Sequence, residues 1–285
     1  MKKFKESAMK TVFLIAACIA ILAVILICVF LFANGIPAIS DIGLFNFLLG
    51  KTWDPQSGIF GILPMILGSI YVTAGALIIG VPIGILTSIF LARFCNKKAY
   101  KVIKPAIDLL AGIPSVVYGF FGVMVIVPFI RNIFGGSGAS MLAASIVLGI
   151  MILPTIISVS EASLRAVPNS YYEGALSIGA SHERSVFFVV IPAAKSGISA
   201  ACILGIGRAI GETMAVIMVA GNQPIMPSSL VVGLRTLTAN IVIEMGYAAE
   251  LHREALIATG VVLFVFILII NIMFSLARRN SNEKN

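Results

Sequence analysis

Charge is what this sequence has least of. Only 11% of its 285 residues are Asp, Glu, Lys or Arg, against 59% hydrophobic residues and a mean hydropathy of +1.07. That is too little charge to clothe the surface of a soluble domain of this size. There are two histidines, His182 and His252, and neither has the neighbours in sequence that a metal site needs. The four cysteines, Cys18, Cys28, Cys95 and Cys202, lie in apolar runs or at their edge, and their spacing suggests neither a disulfide nor a zinc site. No Ser/His pair or ligand cluster within the apolar runs speaks for an embedded enzyme. Repeats, coiled coils and low-complexity tracts are also missing. The string GKT at Gly50 to Thr52 mimics the end of a phosphate-binding loop, but the glycine required five residues before Gly50 is Phe45. The chain therefore carries no nucleotide site of its own.

What is present is length of apolar run. Crossing a hydrocarbon core about 30 Å thick takes about 20 helical residues. Six stretches qualify or nearly so: 12–33, 61–92, 106–130, 139–160, 196–220 and 255–277. The reading is an all-α polytopic membrane protein of six spans, with no soluble domain left over. The second stretch is too long for one upright span, so it should tilt, kink at Pro82 or begin in the interface near Pro64. The lysine-led N-terminus resembles a signal peptide, but its apolar run exceeds 20 residues and no A-x-A site ends it, which favours an uncleaved first span. With six spans, 15 of the 20 Lys and Arg fall on one side, including Arg93, Lys97, Lys104, Arg165, Arg184, Lys195 and both termini. The positive-inside rule makes that side the cytoplasm. The net charge of +8 is thus topological, a matter of membrane lipid and insertion rather than of nucleic acid.

The segments between spans add detail. Residues 34–60 form an external segment in which Trp53 suits an interfacial anchor. The third span holds AGIPSVVYGFFG, where Gly112, Pro114, Gly119 and Gly122 interrupt the helix, either as a packed kink or as a break lining a cavity. GGSG at 135–138 is an external turn. The outer loop 222–252 has helical spacing without an uncharged core of 20 residues and suggests a surface or re-entrant helix. Its Arg235, Thr236, Thr238 and Glu244 suit an outer gate, a contact for an external receptor, or plain solvation. Asp108 suits a cap or a pair with Lys104.

One charge pair sits inside a span. In IGRAIGETMAV, Arg208 lies 13 residues beyond Lys195, about 20 Å along a helix, and Glu212 follows one turn later on the same face. An isolated Arg at that depth costs about 2.5–3.5 kcal/mol on insertion scales, so it needs a partner and an inward orientation. Gly197, Ala201, Gly205, Ala209 and Thr213 form a small-residue stripe for close packing, while Gly207 and Gly211 leave room beside the guanidinium. Two readings stay open. Arg208 and Glu212 neutralise each other as a structural lock, or they form an anion station with Thr213 in a solute pathway. Stability alone is a weak reason to keep a buried pair. A planar guanidinium holds two oxyanion oxygens at once, and Glu212 accepts a hydrogen bond from a protonated oxyanion such as phosphate but repels sulfate.

The longest cytoplasmic interval, 161–195, is too patterned for a linker. Asn169 or Ser170 can cap a helix with Glu173 in its first turn, Gly179 can end it, and Ala180 to Ser185 can start another. A chain that moves solute uphill without an energy source needs a socket for one, and this loop is the candidate. Here the residues resemble the permeases of binding-protein-dependent ABC importers. Their signature is Glu-Ala-Ala, three residues, Gly, nine residues, Ile, one residue, Leu-Pro. Glu173, Gly174, Ala175, Gly179, Val189, Ile191 and Pro192 fill it in register, with Gly174, Val189 and Ile191 as departures. GILPMILGSI at 61–70, AGIPSVVYGFFG at 111–122, GRAIGETMAVIMVAGN at 207–222 and LRTLTANIVIEMG at 234–246 look like the phosphate-specific permeases of the PstC type.

The resemblance implies a type I ABC importer permease fold in a bacterial or archaeal cell membrane. Its divisions would be an N-terminal segment over 1–57, a permease core over 58–277 and a tail over 278–285. It implies a PstA-type permease partner, a PstB-type ATPase dimer that binds ATP and Mg, a PstS-type receptor, and inorganic phosphate as substrate. No cofactor and no catalysis belong to the chain itself. Permeases for sulfate, molybdate or tungstate, and a gradient-driven carrier, are the rivals.

Overall fold

In a hydrocarbon core every backbone polar group must be satisfied internally, and a chain this apolar answers with helices. The computed structural model describes residues 2–282, with side chains described continuously over 9–273. Lys2, Lys3, Lys5, Arg278, Arg279 and Lys284 of the charge pattern lie outside the residues whose side chains are described. Among the described residues, five helical stretches are long and apolar enough to cross a membrane: Met9–Ile42, Leu63–Phe94, Ser115–Phe134, Met141–Ala166 and Glu250–Met273. The pair His182–Ala193 and Lys195–Gly211 passes the same test only when taken together and is bent by 68°, so it makes a sixth crossing only if the two form one span.

Helix α1 (Lys2–Ile42) runs on through Pro37 and leads by way of α2 (Leu44–Leu49) to a two-stranded hairpin, β1 (Trp53–Asp54) and β2 (Ile59–Phe60). The strands pair antiparallel with Trp53 opposite Phe60. Asp54 organises the turn between them. Its carboxylate accepts from the Ser57 hydroxyl at 2.6 Å and from the Gln56 N–H at 3.2 Å, and these bonds, the hydroxyl's above all, hold the carboxyl below its usual range. Helix α3 (Leu63–Ile89) begins with Pro64 in its first turn, where the missing N–H has no intrahelical acceptor to lose, so the long second run starts where the proline allows.

The expected third span, 106–130, is divided. Asn96 caps α4 (Lys97–Gly112), its side chain accepting from the Ala99 N–H at 2.7 Å. The helix stops at Ile113, whose ψ of 127° is the extended conformation that a following proline imposes. After Pro114 the path resumes as α5 (Ser115–Phe121), a π-turn and α6 (Val127–Phe134). Gly122 belongs to packing rather than to a break. A Cβ there would stand 2.6 Å from Val219 Cγ1 and 2.8 Å from Val147 Cγ2.

Helix α7 (Met141–Ala166) is the axis of the fold. Its buried Val147, Leu148, Met151, Ile152 and Ile156 form the main core with Val72, Ala76, Ala209 and Val216. Gly80 and Gly84 let α3 lie against it, since a Cβ on either would come within 2.8 Å of Ile152 or Ile156. This helix also runs past the expected end of the fourth span at 160, so Glu161 is inside the bundle rather than in the loop. Glu161 is 2% exposed and stands between Arg165 Nε at 2.8 Å and Lys104 Nζ at 3.3 Å. Lys104 also meets Asp108 at 3.0 Å, and Arg165 Nη2 donates to the Leu91 carbonyl at 2.8 Å while its guanidinium lies 4.6 Å over the Tyr100 ring. This cluster ties α4 and the end of the α3 span to α7. Glu161→Gln, which leaves two partly buried cations short of an acceptor, should cost about 1–3 kcal/mol. Thermal unfolding of the purified variant in detergent checks this, and an unchanged midpoint would refute it.

The remaining elements are α8 (Asn169–Ser177), α9 (His182–Ser185), α10 (Ile191–Ala193), α11 (Lys195–Gly211), α12 (Met214–Val219), α13 (Leu237–Glu244) and α14 (Glu250–Asn282). Phe47, Trp53, Phe60, Ile62 and Met65 pack with Leu237, Ala255, Leu256 and Ala258 into a second core that caps one end of the bundle. Trp53 is 6% exposed within it, so it is a core residue of this cap and not an interfacial anchor.

Candidate functional site

Helix α11 carries Arg208. Ala201, Gly205 and Ala209 of the small-residue stripe are buried, and a Cβ on Gly205 would lie 3.1 Å from the Ile156 side chain of α7. That close approach brings the Arg208 guanidinium to α7, where Nη1 donates to Thr155 Oγ1 at 3.0 Å. Sequence reasoning misses Thr155. Its only signal there is a hydroxyl next to Pro154 in the middle of an apolar run.

The expected partnership of Arg208 with Glu212 is not formed. Residues 196–220 are not one helix: α11 ends at Gly211, Glu212 turns extended at ψ 130°, and α12 starts at Met214. The break puts Glu212 off the Arg208 face, and among the described residues the two make no ion pair. Glu212 Oε1 instead accepts from the Ala215 N–H at 3.1 Å, as a cap on α12. Thr213 Oγ1 donates to the Gly211 carbonyl at 3.3 Å. The physical reason is local competition. Gly211 weakens the helix, and a carboxylate that can cap the next turn offers the backbone an alternative to continuing it. The neutralised lock is not formed in this structure, and Arg208 is half-buried with the neutral Thr155 hydroxyl as its bonded partner. Space beside it is open, for a Cβ on Gly207 or Gly211 would meet nothing within 4 Å.

The second candidate region is the hairpin of helices in the 161–195 interval. Helix α8 begins at Asn169, directly after Pro168, without the side-chain cap expected from Asn169 or Ser170. Its end is as expected. Gly179 has φ +87°, its N–H bonds the Leu176 carbonyl at 2.9 Å, and the Ala180 N–H bonds that of Ala175 at 3.1 Å, the paired closure of a Schellman turn. Ser181 then caps α9 by accepting from the Arg184 N–H at 3.3 Å. Tyr172 OH meets His182 Nδ1 at 2.7 Å, and Phe94 stands edge-on against the same imidazole at 4.7 Å, so His182 joins the hairpin to the end of the α3 span. Ala175 is buried against the body, while Gly174 and Glu173 are exposed and Pro192 lies on the surface with them. Tyr171 and Phe188 are also exposed, and Ile178 is 86% exposed.

The outer residues form a third group, and they are not solvated. Glu244 is 5% exposed. Its Oε2 accepts from Trp53 Nε1 and from His252 Nε2, each at 2.8 Å, and its Oε1 pairs with Arg235 Nη1. A carboxylate only accepts, so His252 carries its proton on Nε2. Thr236 and Thr238 are buried and share a 3.2 Å hydroxyl contact. As buried groups they are not a surface for a receptor in this arrangement. His252 is thus the partner of a carboxylate, and the described residues hold no group of three or more metal-ligating side chains.

A broken membrane helix carrying a half-buried cation without an ion pair among the described residues, joined to an exposed hairpin at the opposite end from a buried cap, fits a multi-pass permease. The family model of the binding-protein-dependent transport system inner membrane component matches residues 80–281, and the chain belongs to that family of ABC importer permease subunits in the inner membrane. Its relatives include a probable ABC transporter permease protein, YqgH, of Bacillus subtilis, 38% identical over 92% of this chain and 89% of the relative. The phosphate transport system permease protein PstC of Mesorhizobium japonicum is 36% identical over 88% of this chain and 84% of its own. Among solved structures, an alginate ABC transporter in complex with its pentasaccharide-bound periplasmic protein superposes with TM-score 0.66 at 16% identity, covering 94% of this chain and 95% of that one. An inward-facing MetNI methionine transporter does so with TM-score 0.57 at 21% identity, covering 78% and 94%. At those identities the structures support the fold alone.

Proposed function

We propose that this chain is the permease subunit of an ATP-driven importer of inorganic phosphate, with Arg208 as the anion station on the path. The observation that carries the reading is the Arg208 guanidinium in the last turn of α11, without an ion pair among the described residues and held by the Thr155 hydroxyl, with open space at the neighbouring Gly207 and Gly211. Phosphate as the substrate is supported by the relatives that bear the PstC name. A guanidinium grips two phosphate oxygens in one plane, and Thr213 stands beside the break with a further hydroxyl. Glu212, free of Arg208, can accept a hydrogen bond from the protonated oxygen that phosphate still carries near neutral pH. A PstA-type permease would complete the pathway, and a PstS-type receptor would deliver the anion from outside. A PstB-type ATPase dimer, with its own ATP and Mg, would seat on the hairpin around Glu173, Gly174, Ala175, Gly179 and Pro192. Both termini would then be cytoplasmic, with 58–277 as the permease core flanked by 1–57 and 278–285. The chain needs no cofactor and hydrolyses nothing itself. Closure of the ATPases would shift α8 and open the path past Arg208 to each side in turn.

The test is uptake by the complete transporter in proteoliposomes, with ATP inside and receptor outside. Labelled phosphate should accumulate against excess sulfate and molybdate, and accumulation of either competitor in its place would overturn the reading. In the same vesicles Glu212→Gln should narrow the preference for phosphate over sulfate by about tenfold, the worth of one charged hydrogen bond. Unchanged preference would remove Glu212 from the site.

A further inference from the structure

Helix α12 has six residues, too few to hold a position by its own hydrogen bonds. The segment 234–238 pins it at both ends. At the leading end Thr238 Oγ1 donates to the Glu212 carbonyl at 3.2 Å. At the trailing end the Leu234 N–H bonds the Ala220 carbonyl at 2.9 Å, and Arg235 Nε donates to that of Asn222 at 3.0 Å. Arg235 is itself fixed by Asn240 Oδ1 at 3.0 Å and by Glu244, the carboxylate shared with Trp53 and His252. On its far side the segment is seated on α3. The Leu237 N–H bonds Ser69 Oγ at 3.0 Å, and a Cβ on Gly68 would lie 2.4 Å from the Arg235 carbonyl oxygen.

This grip is not satisfied throughout. Asn222 Oδ1 and Asn240 Nδ2 are buried without partners. Their amide orientations are set by other bonds, since Asn222 Nδ2 donates to the Ile217 carbonyl at 2.7 Å and Asn240 Oδ1 accepts from Arg235. Asn222 also holds a left-handed φ of +54° next to Gly221 at +81°, a turn that stores strain where α12 ends.

We propose that Thr238 and Arg235 are positioning residues for the anion station: they set the Glu212–Thr213 break from the outer side of the membrane, and with it the place of the Glu212 carboxylate. The proposal rests on the reading of Arg208 and Glu212 as that station. A badly placed station lets ATPase cycles pass without carrying an anion. The measurement is phosphate moved per ATP hydrolysed by the complete transporter in proteoliposomes with saturating receptor. Thr238→Val keeps the shape and loses the hydroxyl, and should lower the ratio about fivefold, while Thr238→Ser restores it. Gly68→Ala, which presses on the Arg235 carbonyl and pushes the segment off α3 without removing a side-chain hydrogen bond, should lower the ratio as well. A merely structural role would reduce transport and hydrolysis alike and leave the ratio unchanged, which overturns the proposal. Arg208→Lys is the control. If it transports normally, the station and this proposal fall together; if it is impaired while Thr238→Val keeps a normal ratio, only the positioning role falls.

Discussion

Arg208→Ala should abolish phosphate uptake by the reconstituted transporter to within about one hundredth of the native rate, and Arg208→Lys should leave about a tenth. The bonded partner of the guanidinium is the Thr155 hydroxyl, and Glu212 is turned away to cap α12. A cation at that depth without a counter-charge is expensive, and an arriving oxyanion supplies what the protein does not. Each charged hydrogen bond is worth about 1.5–3 kcal/mol, and alanine removes two of them together with the charge. Lysine keeps the charge but not the two-pronged geometry. Uptake is measured alongside thermal stability, because a folded but silent Arg208→Ala variant is the expected pair of results. Full uptake by Arg208→Lys would show that the guanidinium serves packing.

Gly179→Val should separate the chain from its ATPase. At φ +87° a β-branched residue is strained, and the Schellman turn that closes α8 depends on that conformation. Without the turn, α8 and α9 lose their relative angle, and the exposed face around Tyr171, Gly174 and Ile178 is no longer presented as one surface. The affinity-purified complex should lose the ATPase almost completely, whereas Gly179→Asn, which tolerates left-handed backbone, should retain most of it. A Cβ on Gly179 would meet nothing within 4 Å, so only the backbone strain of about 1–2 kcal/mol should lower the melting temperature of the isolated permease, which stays folded. A Gly179→Val complex that still retains the ATPase would show that the hairpin is not the socket.

Much of this is legible in the residues. Hydropathy and length identify the crossing helices, because a membrane demands about the same length of apolar helix from any sequence. Gly179 declares the end of α8 for an equally local reason, its freedom to adopt positive φ. The failures share a cause too. Sequence reasoning assigns Glu161 to the loop and Trp53 to the interface, and gives Arg208 the partner Glu212 on helical spacing alone. Spacing assumes an unbroken helix, and the break at Glu212 follows from a competition that periodicity does not register.

By itself the sequence determined the class of the protein, its long apolar helices, the helical hairpin that Gly179 closes and the presence of a cation within an apolar run, since each depends on composition or on neighbours within a turn. The tertiary structure decided which groups answer those charges. Thr155 reaches Arg208 across 53 residues of chain, and Trp53 reaches Glu244 across 191. A buried charge must find a partner wherever packing brings one, and that choice is made by the fold as a whole.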